Sequence, residues 1–375
     1  MLGGPLYQLL LRLRLARPPL GFVERRIAIA IAITWLPVLL LAWAGGTALG
    51  GTKVPFFYDV DTHVRLLVAL PLLIGAEPLV HAQLATQVRQ FIERGIIAPP
   101  ERARFAAIID DTMRLRNSMA IELVLLACAI GVGFWVWREQ FASRAGTWYM
   151  AEDRLTAAGA WYGFVSLGLF RFVLFRWYFR IVLWYLFLAR VSRMPLQLNA
   201  LHPDRAGGIG FLAGSLTAFA PVLLAQSATI AGILGGQILF EGAKLAAFRL
   251  EIGVTVALLV ALPLLPLAFF VAPLLRAGLQ GRLEYGVLAM HYVAEFREKW
   301  LRGAAQKEPL AGSNDIQSLA DLAHASEVVS QIGVLPVNLK ALVRFAVLIA
   351  LPFAPLVLTV IPLNELISRV LKQVI

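Results

Sequence analysis

The chain has 375 residues, of which 59% are hydrophobic and 15% are charged, whereas soluble domains carry about 25% charged residues. Its net charge of +11 is explained by basic loops at an anionic membrane surface, so we do not predict nucleic acid binding. The single cysteine, Cys128, excludes an intrachain disulfide and a cysteine-based metal site.

Long apolar runs predict an all-α fold, a polytopic membrane helical bundle of about seven transmembrane helices. The predicted spans are residues 27–49, 66–84, 119–137, 161–188, 210–239, 252–275 and 343–361. Residues 1–275 form the bundle with a helical loop at 85–118, and 276–342 form an amphipathic helical insert. Residues 343–375 hold the last span and a C-terminal tail. The first run exceeds the ~7–15 residues of a signal peptide core, so it predicts an uncleaved span.

The insert contains two patches in which apolar or small residues recur at helical spacing. They are Leu279, Leu283, Val287, Met290, Val293 and Trp300 in the first, and Ile316, Leu319, Ala320, Ala323, Ser326 and Ile332 in the second. Such stripes usually face a core, so we expect the two helices to pack on each other and on the ends of the spans. A partner-binding surface is the alternative.

Lysine and arginine concentrate in alternate loops, at 1–26, 89–116, 190–205 and 276–344. The positive-inside rule therefore predicts a cytoplasmic N-terminus and, with seven spans, an external C-terminus.

The fourth span carries Arg171, Arg176 and Arg180. A helix over 161–188 would be ~42 Å long against a hydrocarbon core of ~30 Å, so any placement leaves one arginine within about one turn of the midplane. An unpaired arginine there costs at least ~2.5 kcal/mol. The predicted partner is Glu77 in the second span, with His81 one turn later on the same face.

We expect Glu77 and His81 to pair with Arg176 or Arg171 inside the bundle. The pairing allows two interpretations, an ion pair that fixes the packing of the spans or a polar pathway for ions or protons. Gln226 and Gln237 of the fifth span join the candidate pathway, because eleven residues are close to three helical turns. Polar contacts between packed helices are the alternative for these two glutamines.

The segment before the fifth span contains His202, Asp204, Arg205, Gly207 and Gly208. It predicts a turn in which Asp204 caps the following helix. The alternative is an anion site at that helix N-terminus, formed by these five residues.

No zinc-protease motif, nucleophile elbow or cysteine–histidine set is present, so the sequence predicts no catalytic site, cofactor or metal centre. Asp59, Asp61 and His63 alternate and would bind a metal weakly in an extended strand, but a solvated loop is the favoured interpretation.

Four segments carry a resemblance to known sequences: YDVDTHVRLLVALPLLIGAE, LTAAGAWYGFVSL, LHPDRAGGIGFLAG and NDIQSLADLAHASEVV. Together they resemble an uncharacterised family of bacterial multi-span membrane proteins. The resemblance implies a bacterial inner-membrane location and implies no activity.

The leading functional hypothesis is a channel or transporter that moves a small ion or solute, an anion or a proton, through the bundle. The alternative is a membrane scaffold or signalling component that docks a partner through its cytoplasmic helices. An intramembrane enzyme ranks third. The expected partners are the lipid bilayer and a small solute, and a homo-oligomer is left open.

Overall fold

A computed structural model describes residues 8, 21–141, 146–151, 154–302 and 314–359. The protein is nearly all-α, with 80% of it helical. Within the described part we number nine helices: α1 Val23–Ala44, α2 Val60–Glu93, α3 Arg102–Arg116, α4 Met119–Phe141, α5 Ala157–Val191, α6 Gly210–Glu241, α7 Leu245–Leu301, α8 Asn314–Ser330 and α9 Leu339–Val357. The predicted C-terminal tail and the last residues of the seventh predicted span lie outside the described residues.

Six of the described helices, α1, α2, α5, α6, α7 and α9, are long and apolar enough to cross a membrane. In α4, the apolar part Met119–Gly131 is shorter. The helices therefore support a multi-pass integral membrane protein.

The described helices have different ends from the predicted spans. α2 starts at Val60 and continues to Glu93, so it takes in part of the predicted polar loop. α7 continues through residue 276, where we expected the insert to begin. We placed the boundary at residue 276 because the sequence becomes polar there, but polarity alone does not end a helix, whereas a glycine or proline stop does. α7 instead tightens into a 3-10 turn at Leu265–Phe270, which contains Pro266 and joins a first arm to a second arm, Val271–Phe296.

α6 is the central helix, because 72% of the residues in its most apolar stretch are buried, a larger share than in any other candidate span among the described residues. It packs closely on α2, where Gly214 lies against Gln87 and Gly232 lies against Val64. Phe91 of α2, Phe105 of α3 and Phe187 of α5 pack together near one end of this core.

The bundle has two chemically different ends. The arginine-rich end comprises residues 89–116, 190–209 and 276–302. The opposite end comprises residues 45–59, 146–151 and 154–156 and contains two short antiparallel strands, β1 Met150–Ala151 and β2 Arg154–Leu155. There Val54 forms a bridge with Thr147, and the Trp148 indole N–H donates to Asp59 over 2.8 Å. The segments before α2 and before α5 therefore lie side by side.

The second arm of α7 packs on α8, but not through the stripe that we expected. Its buried positions include Leu274, Gly278 and Gly281, and a methyl group at Gly281 would lie 2.5 Å from the Ala200 Cβ. The predicted stripe is instead exposed: Leu279 55%, Leu283 64%, Val287 58% and Met290 72%. The expectation that this stripe packs is therefore wrong, because the glycines permit a closer approach on the other face.

Candidate functional site

A cluster of buried charges lies where α1, α2, α4 and α5 meet. The Glu77 carboxylate accepts a hydrogen bond from Arg26 of α1 and another, of 2.9 Å, from Arg180 of α5. Arg176 lies 3.7 Å from the same carboxylate, and its Nε lies 3.3 Å from Glu122 of α4. The structure therefore brings Arg176 to Glu77, one of the two pairs that we expected, and adds Arg180, which we did not name as a partner of Glu77.

The cluster carries more positive than negative charge, because three guanidinium groups face two carboxylates. Each of the five side chains is at most 14% exposed. The Nη1 atom of Arg26 is buried and has no hydrogen-bond partner among the described residues. The cluster thus has a charge surplus and an unused donor, and both would suit an anion.

Aromatic packing holds the arginines in place. The Arg180 guanidinium lies over the Trp177 ring, 4.7 Å from its centre. The Trp177 indole N–H donates to the Leu73 carbonyl of α2 over 2.9 Å. One turn of α5 is therefore fixed against α2 immediately beside Glu77.

The cluster lies toward the arginine-rich end of the apolar helices. Arg26 is in the first turn of α1, and Glu122 is in the first turn of α4, both of which begin at that end. Arg171 lies nine residues before Arg180, or ~13 Å deeper along the helix. Its guanidinium lies over Gly133 of α4. The structure therefore does not bring Arg171 to Glu77, and the pair that we considered between them is not formed.

His81, one turn beyond Glu77, lines a cavity of about 230 Å³ between α2, α3 and α5. Arg89, Arg116 and Trp184 line the same cavity. Burial lowers the pKa of Arg116 to about 10, and the nearby charge of Arg180 acts in the same direction. The cavity is thus largely apolar with a basic margin.

Two further cavities lie elsewhere. One, of about 1190 Å³, lies at the arginine-rich end and includes Arg193 and Arg276 in its lining. The other, of about 920 Å³, includes Lys244 and Arg249. None of these three cavities is lined by Glu77.

Gln226 and Gln237 do not converge on the cluster. Gln226 accepts a hydrogen bond of 3.0 Å from the Tyr178 hydroxyl. Gln237 is half-buried and lies ~16 Å further along α6, near its C-terminus. A different polar network links α6 to its neighbours: the Ser215 hydroxyl donates to Gln87 over 3.0 Å.

The segment before α6 folds around the carboxylate of Asp204. This carboxylate accepts backbone hydrogen bonds from Ala206 (2.9 Å), Gly208 (3.1 Å) and Gly210 (2.8 Å). Burial raises the pKa of Asp204, but these three hydrogen bonds outweigh it, so the pKa lies below its ordinary value.

The glycines are needed for this turn. Gly207 and Gly208 have φ of 62° and 95°, and Arg205 shares the left-handed region at 53°. His202 approaches the same carboxylate at 2.9 Å. An external anion at the predicted site would therefore compete with Asp204 for the backbone N–H groups.

Sequence reasoning missed two members of the buried cluster. Arg26 belongs to the basic segment 1–26 before the first predicted span, and Glu122 lies near the start of the third predicted span. Both were hidden by their position in a first turn, where charged residues are usually solvated. The signal that could have found Glu122 is the surplus of arginines in the fourth span over carboxylates in the second.

Among the described residues, no group of three histidine, cysteine, aspartate or glutamate side chains could hold a metal ion. Asp59 and Asp61 have other partners. Asp59 accepts from the Thr62 backbone N–H at the start of α2, and Asp61 pairs with Arg65 over 2.7 Å. The favoured interpretation of a solvated loop is wrong from Val60 onward, because Asp59 caps a helix there.

No protein-family model, curated protein or solved structure matches this chain.

Proposed function

We propose that the protein moves a small anion across the membrane through its helical bundle. The observation that carries this proposal is the buried surplus of positive charge around Glu77, together with the Arg26 Nη1 atom, which has no hydrogen-bond partner in the part of the chain that the structure describes. Charged groups buried in membrane-spanning helices are expensive and usually functional. A small anion that binds beside Arg26 would neutralise the surplus and use the free donor.

An anion fits this cluster better than a proton does. A carboxylate surrounded by three guanidinium groups is a poor proton carrier, because each positive charge favours its ionised form. The arginines themselves do not exchange protons at physiological pH. The site is therefore better suited to attract an anion than to relay protons.

The cavity at His81 supplies the approach from the arginine-rich end. It ends at His81, one helical turn, or ~6 Å, from Glu77. Transport requires this gap to open, and α3, which covers the cavity with Ile109, Thr112 and Met113, is the element that would have to move.

We further propose seven crossings of a bacterial inner membrane, with the arginine-rich end in the cytoplasm. α4 follows α3 at the arginine-rich end, while Thr147, after it, lies at the opposite end. Its 23 residues would span ~34 Å, enough for a hydrocarbon core of ~30 Å. This connection supports counting α4 as a crossing beside the other six candidate spans.

Chloride efflux from proteoliposomes tests the anion proposal. We expect the wild type to release chloride faster than empty liposomes, Arg26→Gln to reduce the rate severalfold, and Arg26→Lys to retain much of it. Arg25→Gln is the matched control, because Arg25 is the exposed neighbour in the same helix. Wild-type efflux equal to that of empty liposomes, or unchanged efflux in Arg26→Gln, would overturn the proposal.

The scaffold function is the second candidate, and the exposed stripe from Leu279 to Met290 favours it. A stripe of this kind is what a helical partner would bind. The arginines beside the stripe, however, fit an anionic lipid surface better than a protein partner.

A further inference from the structure

We infer that the second arm of α7 lies along the membrane surface with its apolar stripe facing lipid. The stripe comprises Leu275, Leu279, Leu283, Val287 and Met290, all of them exposed. Its residues recur at intervals of three or four, so they form one continuous face of the helix. The occupant that we assign to this face is an anionic lipid surface.

The length of α7 places the second arm outside the hydrocarbon core. The twenty residues from Leu245 to Leu264 would cover ~30 Å, so they suffice to cross the core. The 3-10 turn with Pro266 follows, and the Tyr185 hydroxyl beside it donates to the Leu262 carbonyl. The second arm thus begins where the membrane-spanning part ends.

The stripe continues the surface that faces lipid in the first arm. Leu258 is exposed in the first arm, and Leu265 and Phe269 are exposed in the 3-10 turn itself. Leu275 and Leu279 are exposed immediately after the turn. Because a single helix carries all of them, lipid contact can extend from the span onto the second arm without interruption.

Charges on the second arm are segregated around the stripe. At about 100° per residue, Arg276 and Arg297, the residue directly after the second arm, lie within about 40° of the centre of the stripe. Arg282 lies about 80° away, and Glu284 and Glu295 lie more than about 100° away. Arginine beside an apolar face suits the phosphates of anionic lipids, and carboxylates are repelled by them.

The hairpin formed by the second arm of α7 and α8 has its apolar stripe on one side and α8 on the other. α8 covers the side of α7 that faces away from the stripe, through contacts such as Val329 with Gly281. The outer surface of α8 is polar, with Gln317, Asp321 and Glu327 exposed. The hairpin is therefore apolar on one side and hydrophilic on the other, as a surface-bound membrane element must be.

A second copy of the chain fits the stripe less well than lipid does. Two copies in one membrane share their orientation, so a symmetric pair would align their second arms in parallel. Arg276 would then meet Arg276 of the other copy, and Arg297 would meet Arg297. Like charges in a helix seam oppose such a pair.

Spin labels on the full-length chain test the inference. Cys128→Ala removes the single cysteine, and Met290→Cys or Glu295→Cys then places one label on the stripe or on its far side. In vesicles of equal parts phosphatidylglycerol and phosphatidylcholine, we expect label 290 to collide severalfold more often with oxygen than with a water-soluble nickel chelate. Label 295 should show the reverse preference.

Two results would overturn the inference. Equal access of nickel to both labels would place the stripe in water. Strong spin–spin coupling at 290, removed when labelled chain is diluted with unlabelled chain, would make the occupant a second copy. Both exposed positions tolerate a label without disturbing the packing of α7 on α8.

Discussion

The Glu77 carboxylate of α2 and the Arg180 guanidinium of α5 lie 2.9 Å apart, at the point where two more helices join them. Arg26 brings α1 to the same carboxylate, and Arg176 connects it to Glu122 of α4. One side chain therefore organises the charges of four helices. Removing one partner of a buried ion pair leaves the other charges uncompensated.

We predict that Glu77→Gln lowers the free energy of unfolding by about 3 kcal/mol, because three buried guanidinium groups lose their shared counter-charge. Thermal unfolding of the detergent-solubilised protein, followed by tryptophan fluorescence, measures the change. Glu93→Gln is the control in the same helix, since Glu93 is exposed and accepts a hydrogen bond from the nearby side chain of Gln90 rather than from a buried arginine. Equal melting temperatures for Glu77→Gln and the wild type would contradict the prediction.

The charge cluster shows what a sequence can and cannot predict here. The arginines of the fourth predicted span had to find a carboxylate, and Glu77 was the acidic residue within the second predicted span, so the contact of Glu77 with Arg176 was predictable. Which of Arg171 and Arg180 would join it was not, because the depth of each arginine depends on where the span begins. The third arginine, Arg26, was not predictable, because the start of a span cannot be placed to within a turn. The depth of the cluster in the membrane was not predictable either, because it depends on where that first span begins.

The second arm of α7 shows a different limit. The spacing of Leu279, Leu283 and Met290 indicated a helix, and the helix is present. The spacing could not indicate what the apolar face contacts, because lipid and a protein core attract the same residues. Gly278 and Gly281 determined the packed face instead, by allowing close approach.

That packing leads to a second prediction, on the glycines of α7. Gly281→Ala places a methyl group 2.5 Å from the Ala200 Cβ and 3.2 Å from Val329, so we expect a loss of about 1–3 kcal/mol. Gly286→Ala has nothing within 4 Å of the added methyl and should stabilise the helix by up to about 1 kcal/mol. Melting temperatures of the two variants should therefore move in opposite directions, and a shared direction would contradict the proposed packing.

A third prediction concerns Asp204. Asp204→Asn should lower stability by about 2 kcal/mol near neutral pH, because the charged acceptor of three backbone N–H groups is lost. The folded pKa of Asp204 lies below its ordinary value of 3.8. Its stabilising effect is therefore complete above that value and is lost as the pH falls through the folded pKa.

The pH dependence of this stabilisation is measured by comparing the wild type with Asp204→Asn. The melting temperature of the wild type should exceed that of Asp204→Asn at about pH 6, and the difference should shrink toward about pH 3. Asp321→Asn, on the exposed outer face of α8, is the control and should show no such difference. If the difference in melting temperature grew as the pH fell, a group other than Asp204 would be responsible for it.

The last prediction tests whether α4 crosses the membrane. Thr52 and Gly146 flank α1 and α4 at the opposite end of the bundle, where the Val54 backbone N–H donates to the Gly146 carbonyl over 3.3 Å. Arg193 lies at the arginine-rich end, exposed after α5. In a Cys128→Ala background, Thr52→Cys and Gly146→Cys should both react with an impermeant maleimide in intact cells, and Arg193→Cys only after permeabilisation. Because residues 52 and 146 share one end of the fold, labelling them from different sides of the membrane would contradict both the seven crossings and the packing of these loops.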